Sequence, residues 1–390
     1  MAKINPQEEI SSSETTVVNK QSKKDSNVLT RGKERNQAKN FIILHQNICG
    51  ILQKTDEFLM TLPETPPQVI CLSEHHLCLN EINNINLCPY ILGAQFCRQH
   101  FKKGGVAIFI TNNIQFNIID LEQFSKEKDL EACALRVSLS QKNCIVVCIY
   151  RSPTGDFNYF INQLEIILNK IYKTQTHVIL CGDFNINHQI ENNRHNQLQS
   201  LLASFNLSGT VTFPTRITSN TSTLIDNIYV NVESSNYKVY PHINGLSDHD
   251  AQIMELLSIY YVNTKQHYKF ARKIDNNTIL NFTNSLSYEN WEEVFLDEDV
   301  NLIFNNFTNS YLRIFNASFP IIKRKILTKF NPWLTSGIKT SCFTKRYLYV
   351  NNKYSKDPSL RTHYKKYCKI LSSVIKEAKK NVLRFKNSKS

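Results

Sequence analysis

A layered α/β fold is predicted for residues 41–258 of this 390-residue chain. Three observations predict it. Short, β-branched apolar runs bounded by Gly, Pro or Asn recur along the segment. Longer stretches with apolar residues at helical spacing lie between some of them. Elsewhere the runs neighbour one another as hairpin partners do. Strands and helices mixed in this way stack as layers around a shared core.

The strand-like runs are FIILHQN (41–47), QVICLSE (68–74), GVAIFIT (105–111), ACALRVSL (132–139), NCIVVCIY (143–150) and HVILCGDF (177–184), followed by TLIDNIYVN (223–231) and AQIMELLSIYY (251–261). Helices are predicted over 50–62, 156–173 and 194–205. In the second, Phe157, Phe160, Ile161, Leu164 and Ile167 form one apolar face. Residues 1–40 are polar, mixed in charge and poor in aromatics, the composition of a disordered arm. From 262 to 390 the chain reads as a helical, basic, linker-like region. Phe304, Phe307, Tyr311, Ile314 and Phe315 make a packing stripe there, and 361–385 is a long basic helix.

Charge separates these regions. Residues 321–390 hold 19 Lys and Arg against Asp357 and Glu377, so the first 320 carry −4 of the total +13. A basic tail attracts phosphate backbones, and a solvated helical face explains the same charges equally well. No apolar run approaches a membrane span, and the N-terminal region has no signal-peptide core. An intracellular protein, in nucleus or cytoplasm and without a membrane partner, is expected. The KRK at 323–325 reads more as a surface cluster than as a nuclear address. Eleven cysteines, among them Cys49, Cys71, Cys144, Cys148 and Cys181 inside apolar runs, include no C-x-x-C pair. Reduced, packed thiols are expected.

Several strand-like runs end in a polar residue that a core does not need: Asn47, Glu74, Tyr150 followed by Arg151, and Asp183 with Asn185. Singly, each has an ordinary reading as a turn former or surface acid. Their recurrence at the same end of several strands points to a ligand site. In an extended chain Asp183 and Asn185 share a face while Phe184 points into packing. Asp226 lies between apolar neighbours, where an unpaired carboxylate is costly. Asp248 and His249 follow a Gly-Leu-Ser turn just before another apolar run.

HQNICGI, VICLSEHHL, CIYRSP, CGDFNIN, TLIDNIYV and LSDHD, in that order, resemble the successive motifs of the endonuclease/exonuclease/phosphatase superfamily. FCRQHFKKGGVAIFI, YRSPTGDFNYFINQLE and TFPTRITSNTSTLIDNIYVN are similar to endonuclease domains of non-LTR retrotransposons. NPWLTSGIKTSCFTKRYLY looks like part of the joint toward a reverse transcriptase, with the polymerase itself absent. The resemblance implies a four-layered sandwich of two mixed β-sheets flanked by helices, plus a C-terminal helical region. It implies a Mg²⁺-dependent phosphodiesterase, with Mn²⁺ as a substitute ion, that nicks DNA to leave 3′-hydroxyl and 5′-phosphate ends.

The same resemblance implies Glu74, Asn47 and Asp248 as metal ligands. It makes Asp183 the group that orients or deprotonates the attacking water, with Asn185 holding that water or a phosphate oxygen. His249, backed by Asp226, would bind the phosphate and stabilise its transition-state charge, and Tyr150 would donate to a phosphate oxygen or help set the leaving group. Arg151 would touch the substrate backbone, or else form a structural salt bridge. Thr223 stands where relatives acting at abasic sites carry a bulky aromatic, which favours ordinary DNA. Asn187 stands where related retroelement domains often carry Asp. Two other readings remain: the same fold acting on another phosphoester, and an inactive nucleic-acid-binding remnant. DNA is the expected partner, RNA a second ligand of the basic tail, and the oligomeric state is left open.

Overall fold

The computed structural model describes residues 39–387 apart from 140–142, 174, 219, 260–267, 297, 326–331 and 356. Of the polar arm expected at 1–40, all but the last two residues lie outside the described residues. Two six-stranded sheets form the centre. The first runs, in spatial order, Tyr237–His242 (β13), Ala251–Ile259 (β14), Lys39–Asn47 (β1), Val69–Ser73 (β2), Val106–Thr111 (β4) and Tyr90–Phe96 (β3). The second runs Phe116–Ile119 (β5), Glu131–Ser138 (β6), Asn143–Tyr150 (β7), His177–Asp183 (β8), Asp226–Val230 (β12) and Ser208–Gly209 (β9). In each sheet one central pair is parallel, β1 with β2 and β7 with β8, and the other pairs are antiparallel. A parallel pair needs a crossover connection. Helix Phe157–Ile171 (α3) supplies it between β7 and β8.

The layers follow from alternation along the strands. Phe41, Ile43, Cys71 and Ile108 of the first sheet meet Val146, Cys148, Cys181 and Ile228 of the second in the central core. The alternate residues Ile42, Leu44, Ile70 and Leu72 face outward with Phe58 of Thr55–Met60 (α1) and Ile82 of Leu79–Asn84 (α2). On the far side Ile145, Val147, Val178 and Leu180 pack under α3 and Asn193–Ser204 (α4). Asp156 caps α3 by accepting from the backbone N–H of Asn158 and Tyr159. The result is the four-layered α/β sandwich expected.

Some elements differ from expectation. The helix predicted over 50–62 shortens to α1. The run 223–231 divides: Ser222–Thr223 (β11) pairs with Arg216–Ile217 (β10) in a separate hairpin, and only β12 joins the sheet. Strands β3, β5 and β13 were not foreseen; β3 is only partly buried, and β5 and β13 are half-exposed edge strands with weak alternation. No disulfide forms among the described residues. Cys71, Cys144, Cys148 and Cys181 are buried as expected, but Cys49 is exposed, because the chain leaves β1 before it.

Beyond the sandwich, Tyr268–Arg272 (β15) pairs with Ile321–Lys325 (β16). Between them Asn276–Ser287 (α5) and Val300–Ser318 (α6) pack through aromatic rings, Phe282 lying 5.7 Å from Tyr311 and 5.9 Å from Phe315. The predicted stripe on α6 is wider than this partner covers: Ile314 is buried, but Phe304 is 64% exposed. Ser336–Tyr354 (α7) and Pro358–Asn387 (α8) form the last pair. They are seated on the sandwich beside α1. Trp333, Ile338, Cys342 and Leu371 cluster with Met60, Lys345 bonds Glu57 at 2.6 Å, and Lys379 pairs with Asp56. Arg361, Lys365, Lys369, Lys376 and Lys380 stay on the exposed side of α8. No helix among the described residues is long and apolar enough to cross a membrane.

Gly182, one residue before the end of β8, is fixed by a close approach. A Cβ there would lie 2.2 Å from the carbonyl oxygen of Ile149 on β7. Gly182→Ala is expected to cost about 1–3 kcal/mol through overpacking. Denaturant unfolding of the variant measures this, and an unchanged midpoint would show that the strand pair can part without penalty.

Candidate active site

Because β1 and β2 run parallel, as do β7 and β8, their C-terminal ends gather at one edge of the sandwich. In the second sheet Tyr150 lies opposite Asp183, and Asp183 opposite Asp226, so three polar side chains stand in one row across β7, β8 and β12. The first sheet brings Asn47 at the end of β1 and Glu74 just past β2. The Asn47 amide bridges the two sheets there, and Tyr150 also bonds Glu74 across them. Asn47 Nδ2 donates to Glu74 Oε1 at 2.8 Å and to Asp183 Oδ2 at 2.8 Å.

The turns that aim these groups are strained. Cys49, Glu74, His76 and Asn185 all have φ between 48° and 60°, a left-handed region that side chains other than glycine rarely adopt. At Asn185 this corrects the reading from strand periodicity. β8 ends at Asp183, and Asn185 returns to the site through a left-handed turn rather than an extended pleat. Its backbone N–H donates to Asp183 Oδ1 at 2.9 Å, and its Nδ2 donates to Asp183 Oδ2 at 3.2 Å and to the Arg151 carbonyl at 2.7 Å. Phe184 is buried behind the turn, edge-on to Tyr229 at 5.3 Å.

Three ionisable groups hold different states. Burial raises Glu74, but hydrogen bonds from His76 and Asn47 outweigh it and hold the carboxyl at about 2. Burial, followed by the nearby Asp226 charge, raises Asp183 to about 7. Burial lowers His249, but Asp226 outweighs it and lifts the imidazole to about 9. The Asp226–His249 contact is a buried ion pair, Oδ2 to Nδ1 at 2.7 Å. The Thr215 hydroxyl also donates to Asp226 Oδ2, at 2.6 Å. Burial, with the Glu74 charge adding to it, keeps the Tyr150 hydroxyl protonated far above neutral pH.

The loop bearing Asp248 and His249 is fastened to the end of β1. Ser247 Oγ donates to the Asn47 carbonyl at 2.6 Å, and Gln46 Nε2 to the His249 carbonyl at 3.2 Å. Asp248 is more exposed and accepts from Arg216 Nε at 2.7 Å. Thr223 sits opposite Arg216 in the β10–β11 hairpin. Arg151 departs from expectation. It is fully buried, donating to the carbonyls of Phe184 and Gly155 between the rings of Phe157 and Phe160. Among the described residues it pairs with no carboxylate; it ties the turn after β8 to the start of α3.

Sequence reasoning missed His76, whose Nε2 lies 3.1 Å from Glu74 Oε2, and the supports Thr215, Arg216 and Ser247. The doubled histidine after Glu74 was the available signal. Burial separates the pair: His75 is buried and held neutral, chiefly by desolvation, while His76 faces the carboxylate.

The donor set suits a hard divalent ion. Ionised Glu74 and the Asp183 carboxyl flank Asn47, and Asp226 keeps a buried Oδ1 without a hydrogen-bond partner among the described residues. Asn47 and Asp248 fit less simply than expected. Asn47 turns its nitrogen toward the carboxylates while its Oδ1 accepts from the Cys49 N–H, and Asp248 is engaged by Arg216.

Among known proteins, the model of the Endonuclease/Exonuclease/phosphatase family matches residues 44–249. No curated protein sequence matches the chain. Similar solved structures include the endonuclease domain of TRAS1, a telomere-specific non-LTR retrotransposon, at 14% identity, TM-score 0.46, with 56% of this chain and 99% of that one covered. The 3′-5′ exonuclease NExo of Neisseria meningitidis matches at 16% identity and TM-score 0.43, covering 55% of this chain and 99% of its own. The APE2 catalytic domain of Xenopus laevis matches at 18% and 0.45, with 58% and 94% covered.

The raised His249 value carries a sign. The ion pair with Asp226 stabilises the fold fully below the ordinary histidine value and is lost as pH rises through about 9. Thermal melts of wild type and His249→Gln across that range are expected to show a stability gap that narrows on the alkaline side. A gap that stays constant or widens there would contradict the ion pair.

Proposed function

The chain belongs to the endonuclease/exonuclease/phosphatase family, and from that premise we propose that it is a divalent-metal-dependent DNA endonuclease of retroelement type. It nicks one strand and leaves 3′-hydroxyl and 5′-phosphate ends. The observation that carries the reading is the Asn47 amide held between Glu74 and Asp183, with the Asp226–His249 ion pair across the same edge. Carboxylates poised in different states beside a cationic imidazole suit hydrolysis of an anionic ester.

In this reading Asp183, with its value near 7, takes the proton of the attacking water, and Asn185 keeps that carboxylate oriented. With Nδ1 committed to Asp226, His249 donates through Nε2 to a phosphate oxygen and balances charge gathering there. The protonated Tyr150 donates to a phosphate oxygen or to the departing 3′ oxygen, which leaves with a proton as the P–O3′ bond breaks. Glu74, with Asp248 contributing from its loop, would hold Mg²⁺ or Mn²⁺, which when bound would neutralise the phosphate oxygens that otherwise repel the nucleophile. An Asn47 ligand role requires its amide to turn over.

Thr223 in place of an aromatic supports ordinary DNA over abasic sites. The exposed basic side of α8 supports phosphate-backbone contact, to DNA first and RNA second. Residues 41–258 form the hydrolytic domain, and 262–390 the region that flanks it.

Incubation with supercoiled plasmid and Mg²⁺ is expected to give open circles. Glu74→Ala and His249→Ala are each expected to slow this by about 10²–10⁴-fold. Nicking that persists in both variants contradicts the assignment. Phosphate release from inositol phosphates without nicking would move the chain to a phosphatase, and metal-independent DNA binding alone would make it a remnant.

A further inference from the structure

Helix α7 lies far beyond residue 249, where the family match ends, yet it grips the loop that carries Asp248 and His249. The Tyr349 hydroxyl donates to the Ser247 carbonyl at 3.0 Å. Its ring presses on Gly245, which has φ +72°; a Cβ at that glycine would come within 3.0 Å of the ring. One helical turn further on, the Lys353 ammonium pairs with Asp250, the residue after His249, and both side chains are buried. Tyr349 and Tyr354 flank the ammonium at 5.8 and 6.0 Å. The Asp250 N–H in turn donates to the Thr215 carbonyl at 2.7 Å, and the Thr215 hydroxyl bonds Asp226. A chain of contacts therefore runs from α7 to the carboxylate behind His249.

A buried lysine next to a proposed catalytic histidine is expensive for a surface helix to maintain. From β1 the loop is already held by Gln46 and Asn47, and Tyr349 of α7 adds a further contact to it. We propose that Lys353 and Tyr349 are positioning residues of the active site. They fix the 247–250 loop so that Asp248 and His249 face the strand ends. Helix α7 is thus part of the catalytic unit rather than a linker beyond it. This inference rests on the hydrolytic reading above.

The test uses the full chain, with Glu74→Ala as the inactive control. Lys353→Met leaves the Asp250 carboxylate buried without a cation, so both melting temperature and kcat fall. Adding Asp250→Asn removes that unpaired charge and is expected to restore the melting temperature. In the double variant kcat stays about ten- to a hundredfold low, because the loop is no longer held in register. KM moves by less than kcat, because the His249 contact strengthens as charge gathers on the phosphate. Hydrogen exchange at the His249 and Asp250 amides speeds up in the same variant. Tyr349→Phe shifts kcat and exchange the same way, by less. If the double variant recovers kcat together with its melting temperature, or if loop exchange is unchanged, Lys353 is only a stabilising residue and the proposal is overturned. A wild-type chain that cleaves nothing sinks the endonuclease reading instead, and the exchange measurement still decides whether α7 holds the loop.

Discussion

The open edge of the sandwich depends on one residue, Asn47. Its Nδ2 spans two carboxylates that come from different sheets, its Oδ1 receives the Cys49 N–H, and its carbonyl receives the Ser247 hydroxyl. Every polar group of the side chain is engaged, and each engagement fixes another part of the site. Two carboxylates facing one another in a partly dehydrated edge repel strongly. An amide that donates to both lets them stand together, and it sets the turn after β1 and the loop before His249 in the same stroke.

Around that joint the fold separates the ionisable groups by environment. Glu74, partly exposed and hydrogen-bonded by His76, Asn47 and Tyr150, stays ionised to about 2, while the buried Asp183 beside Asp226 rises to about 7. The same Asp226 that raises Asp183 lifts His249 to about 9. At neutral pH the edge therefore holds an ionised Glu74, a carboxyl at Asp183 poised to exchange a proton, and a cationic His249. Packing imposes this ordering. Asp183 and Asp226 are ladder neighbours in β8 and β12, so neither can move away from the other without breaking the sheet.

Much of this was legible in the residues. The central strands, α3 and α4 followed from periodicity, and the polar strand ends lie along one edge. Asp183, Asn185, Asn47, Glu74, Tyr150, Asp226 and His249 do come together there. What was not legible depends on backbone states and distant contacts. The left-handed turn at Asn185 carries no glycine to announce it. Arg151 looks like a surface cation until α3 folds over it and its guanidinium meets two carbonyls. Helix α7 is rich in polar residues, with few apolar positions to mark a buried face, and its link to the site is an ion pair 103 residues apart in sequence. No periodicity predicts such a pair.

The central claim is that Glu74 and Asp183, brought from separate sheets by one amide, act as a single catalytic unit. Its most direct test is the Mg²⁺-dependent nicking rate of Glu74→Gln, Asp183→Asn and the double variant under identical conditions. Groups that act as a unit lose most of their effect together, so the double variant should be hardly slower than the more damaged single variant. A double variant slower by the product of the two single effects would mean that the carboxylates work independently, and would contradict the joint at Asn47 as the basis of the site.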